Sequence, residues 1–122
     1  MPVDVKQVLI VDDDSEIREL LTTVLRSRGF HVEAVGDGAA MRGALAKMNF
    51  HLVVLDALLR LENGQTLADH VRQLDIPVLM ISGDPSQLMA MSERHVEVMS
   101  KPLRVSSFVE RVRTMTESVG QA

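Results

Sequence analysis

Residues 7–14 read QVLIVDDD, a short apolar run that ends abruptly in three aspartates. Apolar residues in succession, rather than in alternation, predict a strand that is buried on both faces, as in a parallel sheet. The same pattern recurs as LVVL at 52–55 and as VLMI at 78–81, and further strands are predicted at 31–35 and 96–99. We therefore expect five strands that lie side by side in one parallel sheet.

Helical patterns alternate with these strands. Apolar residues recur every three or four positions after the first strand, at Ile17, Leu20, Leu21, Val24 and Leu25. This helix should end near Arg28, because Gly29 is a typical stop signal. Further helices are predicted at 39–48, 65–74, 86–93 and 105–118. Five strand–helix units indicate an α/β, doubly wound (βα)5 fold of the flavodoxin-like type, with strand order 2-1-3-4-5.

Composition excludes several classes of function. The 122 residues suit a single domain, and the absence of Cys excludes disulfides, thiolate metal sites and Cys nucleophiles. A net charge of −4 and an aromatic content of 2% argue against direct nucleic-acid binding by this domain. The sequence has neither a signal-peptide pattern nor an apolar run long enough to span a membrane. We expect a cytoplasmic protein without membrane contact.

Polar side chains follow four of the five predicted strands. They are Asp12 and Asp13 after the first strand, Asp56 after the third, Ser82 after the fourth and Lys101 after the fifth. Sites in open parallel sheets lie beyond the carboxyl ends of the strands, so we expect these side chains to meet. Three converging carboxylates repel one another unless a cation lies among them, and oxygen ligands suit Mg²⁺. With Mg²⁺ and Lys101 present, the site is formally neutral and can accept a phosphoryl group.

Each of these residues, taken alone, has a simpler interpretation. Asp13 could be the N-cap of the first helix, with Glu16 completing a capping box. Asp56 and Ser82 could be turn residues, and Lys101 could be a solvated surface charge. Their joint placement at one edge of the sheet favours a functional site.

Five short motifs, in this order and spacing, resemble the response-regulator receiver domains of bacterial two-component signalling. They are VDDD at 11–14, LVVLD at Leu52–Asp56, Gly64 eight residues after Asp56, PVLMIS at 77–82 and SKP at 100–102. The resemblance covers about residues 6–118, so we expect residues 1–122 to form a single receiver domain.

The resemblance implies a role for each site residue. Asp12 and Asp13 would bind Mg²⁺ together with Asp56 and the backbone carbonyl of Leu58. Asp56 would be the phosphoacceptor, and Ser82 and Lys101 would bind the phosphoryl group. The bond between Lys101 and Pro102 would be cis, as is usual in the family.

The resemblance also implies partners. A sensor histidine kinase or a histidine phosphotransfer protein would donate the phosphoryl group, and a conformational change would reach an output partner or domain that the residues do not identify. Phosphorylation-dependent pairing of two copies is compatible with this. The chain would catalyse only its own phosphorylation and dephosphorylation, so it would not be an enzyme in the usual sense.

Two positions depart from the family pattern. Arg60 stands where Pro is common, four residues after Asp56. Val98 stands where an aromatic residue usually moves inward on activation, so an aromatic switch cannot be the readout.

Alternative functions remain open from the sequence. One is a binding module of the same fold that phosphorylation does not regulate. Another is an Asp-nucleophile phosphohydrolase, since Asp12 and Asp14 have the required D-x-D spacing, although Glu16 fills the place of Thr or Val. The residues also leave open whether the chain is a free-standing regulator or a receiver from a longer protein.

Overall fold

A computed structural model describes residues 5–57, 63–83 and 97–119 of the chain. Nine elements occur within them: β1 (Gln7–Val11), α1 (Ser15–Ser27), β2 (His31–Val35), α2 (Gly38–Lys47), β3 (Leu52–Asp56), α3 (Gly64–Gln73), β4 (Val78–Ser82), β5 (Glu97–Ser100) and α4 (Val105–Val119). The helix predicted at 86–93 lies outside the described residues.

The five strands form one parallel sheet in the order β2-β1-β3-β4-β5, which confirms the predicted topology. The central strands β1, β3 and β4 are buried along almost their whole length, as their continuous apolar sequences predict. The strand order reverses between β1 and β3, where a doubly wound sheet opens a crevice at the carboxyl ends of its strands.

Alternate residues of each strand supply two separate cores, one on each face of the sheet. On one face, Leu9, Val53 and Met80 pack with Met41 of α2 and Leu67 of α3. On the other face, strand residues pack with side chains of α1 and α4, namely Val8, Ile10, Leu52, Leu79, Leu25, Phe108 and Val112. Because helices cover both faces of the sheet, a functional site is expected at the ends of its strands.

Helix α1 begins one residue later than the capping-box interpretation predicted. Its N-cap is Asp14, whose Oδ1 accepts the N–H groups of Glu16 at 2.9 Å and Ile17 at 3.3 Å. Asp13 as the N-cap was therefore wrong. The chain turns because the Asp12 carboxylate accepts the N–H of Asp14 at 2.9 Å, and this turn delays the first helical residue to Ser15.

The C-terminal end of α1 agrees with the predicted glycine stop. Gly29 has a φ of 92°, a left-handed conformation that costs glycine little. The N–H of Gly29 donates to the carbonyl of Arg26 at 3.1 Å, and the N–H of Phe30 donates to that of Leu25 at 3.2 Å. This pair of bonds is the Schellman arrangement, and it directs the chain into β2.

Three strands, β3, β4 and β5, end one residue later than predicted, and β3 and β4 thereby include site residues. Asp56 pairs with Ile81 in the ladder between β3 and β4, and Ser82 pairs with Ser100 in the ladder between β4 and β5. Polar side chains are tolerated there because the ladder uses only backbone groups. Consequently Asp56 and Ser82 are held by the sheet itself.

Candidate functional site

The carboxyl end of β1 presents the first site residue. The N–H of Asp12 donates to the carbonyl of Val35 at 3.1 Å, so hydrogen bonding to β2 continues one residue past β1. The Asp12 carboxylate is only 5% exposed and is held by the N–H of Asp14. Arg18 of α1 donates from Nη1 to the backbone carbonyl of Asp12 at 2.7 Å. Both the backbone and the side chain of Asp12 are thus fixed.

Three carboxylates converge at this edge of the sheet. Asp12, Asp13 and Asp56 each offer an oxygen, and these oxygens lie within 4.8 Å of one another. Asp12 and Asp56 are buried, whereas Asp13 is half-buried. The structure therefore brings together the acidic residues that the sequence placed at neighbouring strand ends.

Lys101 supplies the positive charge of the site. Its Nζ lies 3.5 Å from Oδ2 of Asp56, and its side chain is 38% exposed while that of Asp56 is 5% exposed. The N–H of Lys101 donates to the carbonyl of Ser82 at 3.0 Å, which ties the end of β5 to the end of β4. The bond between Lys101 and Pro102 is cis, as expected from the resemblance.

Ser82 lies at the same edge, at the end of β4. Its side chain is 1% exposed, and the preceding residue, Ile81, pairs with Asp56 on the neighbouring strand. Ser82 therefore ends its strand one residue beyond the level of Asp56.

Two sequence-predicted features of the loop after β3 lie outside the described residues. These are Leu58, expected to offer a backbone carbonyl to the metal, and Arg60, at the position where Pro is common. The metal-ligand set that can be described therefore consists of carboxylates.

Burial changes the acidity of Asp12. Its pKa is raised to about 6, first because burial removes water from the carboxylate and then because the Asp56 carboxylate repels its charge and shares a hydrogen bond with it. The N–H of Asp14 and the charge of Lys101 oppose this rise. The Asp12 carboxyl therefore holds its proton to a higher pH than an exposed aspartate does.

The donor set fits Mg²⁺. Magnesium is a hard cation that prefers oxygen ligands, uses a small number of carboxylates and keeps several of its waters. Asp12, Asp13 and Asp56 provide such oxygens within 4.8 Å of one another, and a cation among them would offset the repulsion between their charges.

A cavity of about 520 Å³ adjoins Asp12 on the α1 side of the site. Asp12 and Lys101 line its polar end, and apolar side chains of α1 and of the segment leading into α4, among them Ile17, Leu20, Leu103 and Val105, line the remainder. The cavity therefore gives access to Asp12 and Lys101, although Asp12 is itself buried.

Sequence reasoning missed Arg18 and Gly36. A Cβ on Gly36 would lie 2.9 Å from Nη1 of Arg18, so the absence of a side chain at 36 makes room for the guanidinium. The only signal in the sequence is a glycine directly after the second strand, next to the strand that ends in Asp12. That signal does not identify Arg18, since the contact arises from packing.

Within the described part of the chain, no helix combines the length and the apolar character needed to cross a bilayer.

Comparison with known proteins identifies the family of this chain. The family model of the response regulator receiver domain matches residues 8–113. The chain is 32% identical over 117 residues to the transcriptional regulatory protein GltR of Pseudomonas aeruginosa, covering 90% of this chain and 48% of that protein. It is 30% identical over 112 residues to the DNA-binding response regulator MtrA of Mycobacterium tuberculosis, covering 88% of this chain and 49% of that protein. The chain thus spans about half the length of the curated relatives it matches.

Solved structures agree with the fold. A putative response regulator from Chloroflexus aurantiacus superposes with a TM-score of 0.85 at 30% identity, covering 93% of this chain and 99% of that one. A CheY-like receiver domain protein from Methanospirillum hungatei superposes with a TM-score of 0.87 at 20% identity, covering 95% and 97%, and supports the fold alone.

Proposed function

Because this chain belongs to the response regulator receiver domain family, we propose that it is a signalling switch that accepts a phosphoryl group on Asp56. The observation that carries the proposal is the position of Asp56. Its buried carboxylate lies at the end of β3, within 4.8 Å of the Asp12 and Asp13 oxygens and 3.5 Å from the Lys101 ammonium.

The proposed reaction is a phosphoryl transfer to an oxygen of Asp56. This oxygen donates an electron pair to phosphorus, while the phosphorus–nitrogen bond of a phosphohistidine breaks and its electron pair leaves with the imidazole. The product is an aspartyl phosphate. A small acyl phosphate can serve as the donor by the same attack.

The residues of this chain supply positioning and charge. The strand ladder fixes the Asp56 backbone, which reduces the entropy lost when the carboxylate attacks. The Lys101 ammonium lies where it can neutralise an oxygen of the incoming group, and the Ser82 hydroxyl can donate to another. Mg²⁺, held by Asp12, Asp13 and Asp56, would supply further neutralisation of the phosphoryl charge when bound.

The partners belong to the same proposal. A histidine kinase or a histidine phosphotransfer protein would supply the phosphoryl group, in the cytoplasm. The names of the relatives MtrA and GltR describe DNA-binding or transcriptional regulators, and this chain covers about half of each. We therefore propose that it controls an output domain or partner, and that phosphorylation could also pair two copies.

The alternatives are less well supported. Response regulators are a signalling family rather than a family of conventional enzymes. A D-x-D phosphohydrolase would also need Asp14 beside the reacting group, but the Asp14 carboxylate caps α1. A binding module that phosphorylation does not regulate would not explain why three carboxylates and Lys101 converge at one site.

Labelling with acetyl phosphate and Mg²⁺ tests the proposal. Intact-mass analysis should show one added phosphoryl group that is labile to base and hydroxylamine, and Asp56→Asn should abolish it. Asp75→Asn is the matched control. Asp75 precedes β4 and so lies near the amino ends of the strands, away from Asp56, and its φ of 60° also suits Asn. Equal labelling of Asp56→Asn and the parent would refute the assignment.

A further inference from the structure

Arg18, in the first turn of α1, makes a hydrogen bond to the residue that directly follows β1. Its Nη1 donates to the Asp12 backbone carbonyl at 2.7 Å, and the side chain is half-buried. A positive group so near three carboxylates would be expected to pair with one of them. Its described hydrogen bond is instead to the carbonyl of the residue whose carboxylate belongs to the cluster.

Gly36 provides the space for this contact. It follows β2 directly, beside the end of β1, and a Cβ built on it would lie 2.9 Å from Nη1 and 3.6 Å from Cζ of Arg18. A real Cβ does not approach so closely, so any side chain at 36 would displace the guanidinium. The displacement is inexpensive, because the atoms that move are at the far end of a flexible side chain.

From these contacts we propose that Arg18 is a positioning residue for the metal site, and that Gly36 is required for its action. The inference rests on the proposed function. The Arg18 bond fixes the peptide between Asp12 and Asp13 from the carbonyl side, while the Asp12 carboxylate fixes the N–H of Asp14. The two carboxylates are thereby held at the spacing that a cation needs. Removing a group that orients metal ligands in this way commonly lowers metal affinity by about 10- to 100-fold.

The direction in which cation affinity changes when Arg18 is substituted distinguishes a positioning role from an electrostatic one. Removing the Arg18 charge beside an acidic cluster should, by Coulomb's law alone, strengthen cation binding. Removing a positioning contact should weaken it. Gly36→Ala adds a second test, because it displaces the guanidinium without changing the charge of the protein.

The chain contains a matched control for Arg18. Arg26 lies on the same helix and donates from Nη2 to the backbone carbonyl of Val32 at 3.0 Å, also six residues away in sequence. This bond joins α1 to β2 at a distance from the carboxylates. Gly43 is the control for Gly36, since a Cβ built there meets nothing within 4 Å.

The experiment measures the binding of Mn²⁺, as a probe for Mg²⁺, by electron paramagnetic resonance, together with urea unfolding of the same variants in EDTA. Arg18→Met should lower Mn²⁺ affinity by about tenfold, and Gly36→Ala should lower it to a smaller extent. Arg26→Met should resemble Arg18→Met in unfolding but keep the parent's affinity. Gly43→Ala should also keep that affinity.

The outcomes distinguish the inference from the function on which it rests. If the parent binds Mn²⁺, Asp13→Asn does not, and Arg18→Met binds as well as the parent or better, the positioning role is wrong and the metal site stands. If Arg26→Met loses affinity as Arg18→Met does, the effect is one of general stability and the inference fails. If the parent does not bind Mn²⁺ at all, the proposed function fails with it.

Discussion

Burial makes Asp12 the residue at which pH acts on the stability of this protein. Its pKa in the folded state, about 6, lies above the ordinary value of 3.8, so the folded protein holds this proton more tightly than the unfolded chain. The stabilising contribution is complete below about pH 3.8 and is lost as pH rises through about 6. Without metal, the carboxylate therefore destabilises the fold near neutral pH.

We expect Asp12→Asn to raise the free energy of unfolding of the metal-free protein at pH 7, by on the order of 2 kcal/mol. At pH 4 the difference between variant and parent should be small, because the parent carboxylate is then largely protonated. Urea unfolding in EDTA, followed by far-UV circular dichroism because the chain has no Trp or Tyr, measures this. A difference that does not change between pH 4 and pH 7 would contradict the prediction.

Asp13 and Asp14 are neighbours in sequence, but we expect their substitution by Ala to have opposite effects on stability and on Mg²⁺ binding. Asp14→Ala removes the N-cap of α1 and should cost about 1 kcal/mol of stability while leaving most of the Mg²⁺ affinity. Asp13→Ala should abolish most Mg²⁺ binding and leave metal-free stability unchanged or higher, because it relieves carboxylate repulsion. Calorimetric titration with Mg²⁺ and urea unfolding in EDTA measure the two effects. Loss of metal-free stability in Asp13→Ala would contradict the assignment.

At the scale of the elements, the strands were predictable because their signal is local. QVLIV, LVVL and VLMI are apolar throughout, since β1, β3 and β4 are covered on both faces. The N-cap of α1 was less predictable, because Asp13 and Asp14 are equally good capping residues. The choice between them depends on the bond from the Asp14 N–H to the Asp12 carboxylate, which no spacing reveals.

Helix α1 offers a test of how the elements pack. Its predicted apolar stripe included Leu20 and Leu25, but Leu25 is fully buried in the core shared with α4 whereas Leu20 is 50% exposed. Leu25→Ala should cost about 2–5 kcal/mol, since it leaves a cavity. Leu20→Ala, the same change on the same helix, should cost much less. Similar losses in urea unfolding would mean that α1 is rotated from its described orientation.

At the scale of the whole molecule, one topology places the acidic residues, Ser82 and Lys101 at one rim. That convergence could be predicted from sequence, because carboxyl ends of parallel strands meet at the same edge. The contact from Arg18 to the Asp12 carbonyl could not, since it joins a helix to a strand end through packing around Gly36. An aromatic side chain at position 98 cannot transmit the phosphorylated state in this chain, because that position holds Val, which packs against the core.

The two outer strands of the sheet, β2 and β5, should therefore respond differently to phosphorylation. The edge strand β5 leads into Lys101, whose N–H bonds the Ser82 carbonyl, and Ser82 pairs with Ser100. A phosphoryl group that draws the Ser82 hydroxyl and the Lys101 ammonium toward Asp56 thus acts directly on β5. The opposite edge strand β2 ends at Val35 and is followed by Gly36, which has no side chain to bind phosphate.

We expect acetyl phosphate with Mg²⁺ to change amide hydrogen exchange in peptides covering β5, and to leave those covering β2 unchanged. Lys101→Met should remove most of the change at β5 in protein that still carries the phosphoryl group, as verified by intact mass. Asp56→Asn should show no change at either edge. An equal response of β2 and β5 in the parent would mean that phosphorylation stabilises the fold as a whole rather than acting through the end of β5, because uniform stabilisation protects both edges alike.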